Sequence, residues 1–221
     1  SSLAFSQHSV VQNQQLSDVK RIHFGFTLGV NFSDLGIAHT NYLDETNQIY
    51  YMEVIDYSPG FTVGIISDLK IFEFLNLRFV PTFNITERKL SFVNQHAEEV
   101  NTGQMLRTSM LNFPFYLKYR ADRINNYRPY VILGSGLTID VSPQKGEYIL
   151  LKSADAIFEI GVGCDIYLPY FKLAPELKFS LGLLDVLERD RSDLLIATNI
   201  KYTKALESLT TRMITLTFNF E

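Results

Sequence analysis

The last ten residues of the chain alternate strictly between apolar and polar side chains. The apolar members are Ile214, Leu216, Phe218 and Phe220, and the polar members between them are Thr215, Thr217 and Asn219. Side chains of a strand point alternately to its two faces, so this period of two predicts a strand with one apolar and one polar face. Such a strand fits the wall of an outer-membrane β-barrel, whose apolar face meets lipid. It also fits a half-buried strand of a soluble sandwich or barrel.

Length and composition narrow the choice of fold. The 221 residues suit a single all-β domain. The hydrophobic fraction of 46% is high for a soluble protein, yet no apolar run is long enough for a transmembrane helix. A transmembrane barrel combines these two properties because only alternate residues of each strand meet lipid. No signal peptide is visible at the start, so we expect the sequence to begin after its removal.

The same alternation recurs along the chain and predicts an all-β fold of eight antiparallel strands. The predicted strands are 21–32, 59–68, 75–86, 107–120, 129–141, 154–168, 171–184 and 212–221. The first shows eleven residues of unbroken alternation, which matches the length that crosses a bilayer at a tilt. We expect 212–221 to close the barrel against 21–32. Residues 202–209 would form a short helix before the closing strand.

The connections between these strands alternate in length. Long polar connections follow the first, third, fifth and seventh strands, at 33–57, 87–106, 142–153 and 185–210, whereas the others are short. An up-and-down barrel in an outer membrane shows this asymmetry, with short turns in the periplasm and long loops outside. We therefore expect a barrel over 21–221, a flexible periplasmic segment over 1–20, and both termini in the periplasm.

The polar face of the predicted strands has the composition of a crowded interior. It carries many Gly, Thr, Ser and Asn residues, together with charges of both signs. The charged members are Arg78, Lys118, Arg120, Asp140, Glu159, Asp165, Glu176 and Lys178. Eight strands leave only enough room for side chains to fill the lumen, and buried charges need partners there. We predict an interior charge network built from these residues.

No residue pattern indicates chemistry. The single cysteine, Cys164, excludes an internal disulfide, and no pair of the four histidines has metal-ligand spacing. Glu159, Asp165 and Glu176 could approach one another as acid–base groups, but ion pairing with interior Lys and Arg is the better interpretation. The cations are scattered, so nucleic acid is not an expected partner. We expect no enzyme activity and no cofactor or metal.

The chain resembles the PorT family of outer-membrane barrels of the type IX (Por) secretion system. The matching segments are HFGFTLGVNF at 23–32, SPGFTVG at 58–64, LKYR at 117–120, NNYRPY at 125–130, DIYLPYFKLAPE at 165–176, LER at 187–189 and LTFNF at 216–220. The resemblance implies a role in the export and maturation of secreted proteins or adhesins. Members of the PorT family look like accessory components without defined catalytic residues, so the resemblance implies no catalytic residue here.

The expected partners follow from the predicted barrel and from this resemblance. They are outer-membrane lipid, other type IX secretion components, and the barrel-insertion machinery, for which Phe218 and Phe220 would form the insertion signal. A filled eight-stranded barrel cannot pass a folded protein, so contacts through the loops or the N-terminal segment would carry the function. The alternative is a small porin or ligand-binding barrel without a secretion role.

Overall fold

The computed structural model describes residues 12–14, 20–39, 50–94, 99–142, 154–184 and 206–221. Within these ranges the chain forms ten β-strands: β1 (Ile22–His39), β2 (Tyr50–Tyr57), β3 (Gly60–Lys70), β4 (Leu75–Phe79), β5 (Thr82–Asn94), β6 (Glu99–Arg120), β7 (Tyr127–Asp140), β8 (Ala154–Tyr167), β9 (Lys172–Gly182) and β10 (Leu206–Phe220). The described residues contain no helix that is long and apolar enough to cross a bilayer.

The sheet closes on itself through β1. This strand pairs antiparallel with β10 on one side, where Phe26 lies opposite Phe220, and with β3 on the other, where Ile22 lies opposite Leu69. The closed ring runs β1, β10, β9, β8, β7, β6, β4 and β3. β5 continues β4 and, like it, lies between β3 and β6, so the two count as one strand of the barrel. The predicted eight-stranded antiparallel barrel is therefore confirmed, as is its closure between 212–221 and 21–32.

The predicted strand 75–86 is present in two pieces, β4 and β5, that meet at Val80–Pro81. Proline has no amide hydrogen and cannot donate to a neighbouring strand. The wall nevertheless continues across the junction, because Ile65 N donates to Pro81 O at 3.1 Å and Val80 N donates to Pro114 O at 3.3 Å. The interruption is a local bend and leaves the eight-stranded wall closed.

The barrel wall is uneven in height. β6 has 22 residues and β1 has 18, whereas β9 has 11. A tilted strand crosses the hydrocarbon core in about 9–11 residues. The longer strands therefore extend past the bilayer at the end that carries the long connections, which we call the long-loop end. There β5 pairs with β6 as an extended ribbon, and β2 lies alongside β5.

These extensions correct the predicted connections. Much of 33–57 and 87–106 is strand, and β10 already begins at Leu206, so the helix predicted to reach residue 209 is wrong at its C-terminal part. Residues 202–205 lie outside the described part of the chain. The physical reason is the same in each case. A strand that extends past the hydrocarbon core needs no apolar side toward lipid, so its sequence resembles that of a loop.

The two faces of the wall are inverted relative to a soluble barrel. On β10, Ile214 is 49% exposed and Phe218 is 43% exposed, whereas Thr217 between them is fully buried. The same pattern holds on β1, where Phe24 is 71% exposed and Thr27 is buried. A surface of this kind is stable only in lipid, because water would meet a continuous apolar belt.

Candidate functional site: the filled lumen and the two rims

Charged side chains fill the lumen. Among the described residues, buried cations and buried anions are equal in number. The buried cations are Arg78, Lys118, Arg120, Arg128, Lys172 and Lys178, and the buried anions are Asp68, Asp155, Glu159, Asp165, Glu176 and the side chain of Glu221. Glu221 follows the end of β10, and the others lie on the polar, inward-facing side of their strands. A balanced interior differs from the rings of one charge sign that select ions in a channel.

Arg78 is the centre of this network. It projects from β4 and is 1% exposed, and the three nitrogens of its guanidinium group each reach a different carboxylate. Nε donates to Asp68 at 2.9 Å, Nη1 to Glu176 at 3.1 Å and Nη2 to Glu221 at 2.8 Å. The planar guanidinium suits this arrangement because its donors are fixed in a fork. One side chain thereby links β3, β9 and the end of β10 across the lumen.

A second set of contacts surrounds Asp165. Lys118 Nζ lies 2.8 Å from Asp165 Oδ1 and also 3.8 Å from the centre of the Tyr130 ring. Lys172 Nζ is 4.0 Å from Asp165 Oδ2 and 2.5 Å from Glu221 Oε2. Because Glu221 contacts both Lys172 and Arg78, the two sets form one connected network. Fully paired charges of this kind hold the walls of the lumen together and leave little charge uncompensated.

Buried hydroxyl groups complete the carboxylate contacts. Tyr130 Oη donates to Glu176 Oε2 at 2.7 Å. Tyr116 and Ser180 both donate to Glu159. Lys178 Nζ stands 3.8 Å from Glu176 Oε1. These donors satisfy carboxylate oxygens that water would otherwise have to reach, so the middle of the barrel is packed with side chains.

Gly163 makes room for one of these donors. A Cβ at this position would lie 2.5 Å from both Cζ and Oη of Tyr130. Only glycine therefore lets the Tyr130 ring pack flat against β8 while its hydroxyl reaches Glu176. Gly163 therefore serves the packing of a large interior side chain.

The structure brings together most of the residues that the sequence placed in the interior network. Arg78, Lys118, Asp165, Glu176 and Lys178 share ion pairs, Glu159 is held by hydroxyl groups, and Arg120 is buried at 2% exposure. The exception is Asp140. It lies half-buried at the long-loop end, where its Oδ1 accepts a hydrogen bond from Ser142 N at 2.8 Å.

The sequence reasoning missed several members of the network. They are Asp68, Asn76, Tyr116, Tyr130, Lys172 and Glu221. Asp68 and Lys172 occupy the polar phase of their strands, so the alternation itself could have identified them. Glu221 continues the series of inward-facing residues Thr217 and Asn219 at every second position. No group of His, Cys, Asp and Glu in the described ranges is arranged to hold a metal ion.

Aromatic rings line the outer face of the seam between the first and last strands. The rings of Phe220 and Phe26 stack with their centres 4.8 Å apart, and Phe171 lies 6.0 Å from Phe220. Phe218 faces lipid one pair further along β10. The residues predicted as the insertion signal therefore lie on the lipid-facing side of the closing seam.

Comparison with known proteins identifies the family. A model of the outer membrane protein beta-barrel domain matches residues 5–188. The chain belongs to this family. The outer membrane is therefore its location, and the apolar belt is the surface that meets lipid. No curated protein matches the sequence.

Solved structures of membrane barrels resemble the chain at low sequence identity. Neisserial surface protein A shares 8% identity, with 90% of this chain and 98% of that chain covered and a TM-score of 0.46. AlkL, solved by solid-state NMR in DMPC bilayers, shares 13% identity, with 100% and 94% covered and a TM-score of 0.43. A de novo designed transmembrane barrel shares 10% identity, with 88% and 94% covered and a TM-score of 0.30.

One rim of this outer-membrane barrel holds part of the N-terminal segment. The short connections after β3, β6 and β8 define the short-turn end. There Asn13 N donates to Asn126 Oδ1 at 2.9 Å and Asn13 Nδ2 donates to Tyr167 O at 3.0 Å. Gln14 Nε2 donates to Leu168 O at 2.8 Å. Residues 12–14 are thus docked, whereas the rest of the segment predicted to be flexible, apart from Lys20, lies outside the described residues.

Arg123 organises this docking site. Its guanidinium lies 3.7 Å from the centre of the Tyr167 ring, Nε donates to Asn125 O at 2.8 Å, and Nη2 donates to Asn126 Oδ1 at 3.1 Å and to Asn13 O. Asn125 has a φ of 55°, a left-handed conformation that asparagine tolerates in tight turns. The β6–β7 turn therefore presents donors and acceptors that match the amide groups of Asn13.

Replacing Arg123 with alanine will loosen the docked segment without unfolding the barrel. We expect hydrogen exchange of the Asn13 amide to accelerate about tenfold, because losing one charge-assisted hydrogen bond and the ring contact costs about 1.4 kcal/mol or more. Hydrogen–deuterium exchange with mass spectrometry measures this. Arg107→Ala, at the other rim, is the matched control. Unchanged exchange at 12–14 in a folded R123A barrel would contradict the docking.

The long-loop rim is built from the projecting ribbons. Arg107 Nε lies 2.7 Å from Glu87 Oε1 across the β5–β6 pair, and both side chains meet solvent. Further along, Leu90 lies opposite Gln104 and Phe92 opposite Asn101 in the backbone register. The backbone pairing of the ribbon therefore continues beyond the bilayer.

Proposed function

We propose that this outer-membrane barrel is a PorT-like, non-enzymatic component of type IX protein secretion that acts through contacts at its rims. The observation that carries the proposal is the lumen. Arg78, one side chain at its centre, bonds to carboxylates from three separate strands or strand ends. A secreted chain could pass only by breaking these buried ion pairs. A role in export therefore requires partner contacts outside the lumen.

The orientation of the rims follows from the connection lengths. We propose that the short-turn end, with the docked Asn13 and Gln14, faces the periplasm together with both termini. The long-loop ribbons then face outward. This arrangement agrees with the usual layout of outer-membrane barrels, in which short turns are periplasmic. Secretion components would contact the outward ribbons and loops or the docked N-terminal segment, and the barrel-insertion machinery would meet the closing strand.

The absence of enzyme activity is also part of the proposal. The carboxylates that the sequence raised as acid–base candidates, Glu159, Asp165 and Glu176, are held by ion pairs or by hydroxyl donors inside the lumen. A general acid or base must reach its substrate within hydrogen-bond distance. Buried groups in a packed barrel offer no such access.

Loop shortening tests the secretion role. One variant removes 91–103 and joins residues 90 and 104 with Asn-Gly, because Leu90 and Gln104 lie opposite each other in the ribbon. A second variant replaces 186–204 with a short Gly-Ser linker. Shortening 143–152 is the control for loop loss in general. We expect secretion of type IX cargo to fall strongly in at least one of the first two variants and to persist in the control.

The readout separates a failed barrel from a failed contact. The heat-dependent shift of the folded barrel on a gel verifies that each variant reaches the outer membrane. Normal export by both ribbon and 186–204 variants would refute the contact role of these loops. The porin alternative predicts single-channel conductance in planar bilayers. We expect none, because large paired side chains such as Arg78, Lys118 and Tyr130 fill the described part of the lumen.

A further inference from the structure

A pocket opens on the short-turn rim beside the start of β1. Its volume is about 660 Å³, and it is lined by Arg21, Leu69, Lys70, Ile71, Phe72 and Glu73. The lining combines two cations, one carboxylate and three apolar side chains. This volume falls within the range of small-molecule sites, which hold ligands by an apolar wall and a few placed polar groups.

Backbone contacts fix the two cations opposite each other. Ile22 lies opposite Leu69 in the β1–β3 pair, and Lys70 N donates to Arg21 O at 2.8 Å, which extends the register by one residue. Two cationic side chains at one end of a strand pair favour an anionic group, and arginine suits a phosphate because its donors form a planar fork.

The β3–β4 turn places the carboxylate and the apolar side chains around the cations. Ile71 N and Phe72 N both donate to Leu75 O, at 3.0 Å and 2.9 Å, and Arg128 Nη2 donates to Glu73 O at 3.3 Å. These bonds hold the turn in one conformation. Phe72 is 67% exposed, and the apolar residues Ile22 and Phe24 at the start of β1 are 52% and 71% exposed.

We propose that this pocket binds the phosphoethanolamine headgroup of a membrane phospholipid. Arg21 and Lys70 take the phosphate, the Glu73 carboxylate takes the ammonium, and Phe72 and Ile71 contact the upper part of the acyl chains. A zwitterionic headgroup matches a lining of both signs better than a purely anionic one. The source of the lipid rests on the proposed orientation, which puts this rim in the inner leaflet of the outer membrane.

Native mass spectrometry of the purified barrel tests the proposal. The detergent-solubilised protein is mixed separately with palmitoyl-oleoyl phosphatidylethanolamine, phosphatidylglycerol, phosphatidylcholine and lipid A, and bound adducts are compared. We expect phosphatidylethanolamine to be retained best. The R21A/K70A double variant should retain it about tenfold less well, and Glu73→Gln should lower it relative to phosphatidylglycerol. Arg107→Ala, at the opposite rim, should behave as the wild-type chain.

Three results would overturn the proposal. Equal retention by R21A/K70A and the wild-type chain would remove the pocket as the site. Better retention of phosphatidylglycerol would remove the role of Glu73. A preference for lipid A would assign this rim to the outer leaflet and contradict the orientation as well. Because adducts are counted on purified protein, the result is independent of the secretion assay, which tests the contact role separately.

Discussion

Replacing Arg78 with methionine will destabilise the barrel by about 3–5 kcal/mol, the range measured when one partner of a buried ion pair is removed. The side chain is 1% exposed and is the shared partner of Asp68, Glu176 and Glu221. Methionine has a similar length but no donor, so three carboxylates would face one another in a lumen with little water. Reversible unfolding by urea or guanidinium in lipid vesicles measures the loss.

A matched control isolates burial from charge. Arg107 also lies within 3 Å of a glutamate, Glu87, but its side chain is largely exposed. Surface ion pairs of this kind contribute little to stability because water screens them. Arg107→Met should therefore leave the unfolding midpoint nearly unchanged. If R78M and R107M unfold at the same denaturant concentration, the interior network does not support the barrel.

A second variant tests whether uncompensated charge causes the loss. Asp68 contacts Arg78 through Oδ2 and Asn76 through its other oxygen. Asp68→Asn added to R78M removes one of the stranded anions while keeping the shape of the site. The double variant should be more stable than the sum of the two single effects predicts, as expected for residues in one network. Simple additivity would indicate that Arg78 acts through packing alone.

The alternation of apolar and polar residues was sufficient to predict the barrel itself. A period of two assigns each residue to one face, and the face composition shows which side meets lipid. Thr217 and Asn219 on the inside and Phe218 on the outside follow directly from this rule. The rule does not depend on distant parts of the chain, which explains why it identified all eight wall positions.

The pairing within the lumen could not be predicted in the same way. Arg78 is 98 residues from Glu176 and 143 residues from Glu221 along the chain. Whether such residues meet depends on the stagger between successive strands, because each change of register moves a side chain up or down the lumen. The alternation specifies the face of a residue but not its height, so the members of the network were easier to predict than its contacts.

The projecting ribbons show the limit of composition. Residues 87–94 and 99–106 pair as strands outside the membrane. Backbone hydrogen bonds pair such a ribbon, and a strand beyond the hydrocarbon core requires no alternation of apolar and polar residues. The docking of Asn13 on Asn126 could not be predicted from composition either. Amide side chains in a polar segment do not indicate a partner more than one hundred residues away.

Replacing Phe220 with aspartate will lower the amount of barrel in the outer membrane by about tenfold or more, without lowering synthesis. We propose that the barrel-insertion machinery recognises the aromatic end of β10 before β10 pairs with β1. In the closed barrel Phe220 stacks on Phe26 with ring centres 4.8 Å apart. A charge on the lipid face also costs up to about 2–4 kcal/mol in a depth-dependent way, less near the interface, so insertion and closure are both affected.

Phe115→Asp is the control that separates recognition of the β10 end by the insertion machinery from the cost of placing an aspartate on the lipid face. Phe115 faces lipid at 55% exposure and stacks on Phe79 with ring centres 4.5 Å apart, so it loses the same kind of contact within the wall and away from the closing strand. Folding of both purified variants into vesicles without the machinery measures the lipid and stacking terms alone. In cells, F220D should reach the outer membrane far less than F115D. If the two variants are equally depleted in cells and fold equally in vesicles, the terminal aromatic residue carries no targeting signal, and the loss belongs to the membrane alone.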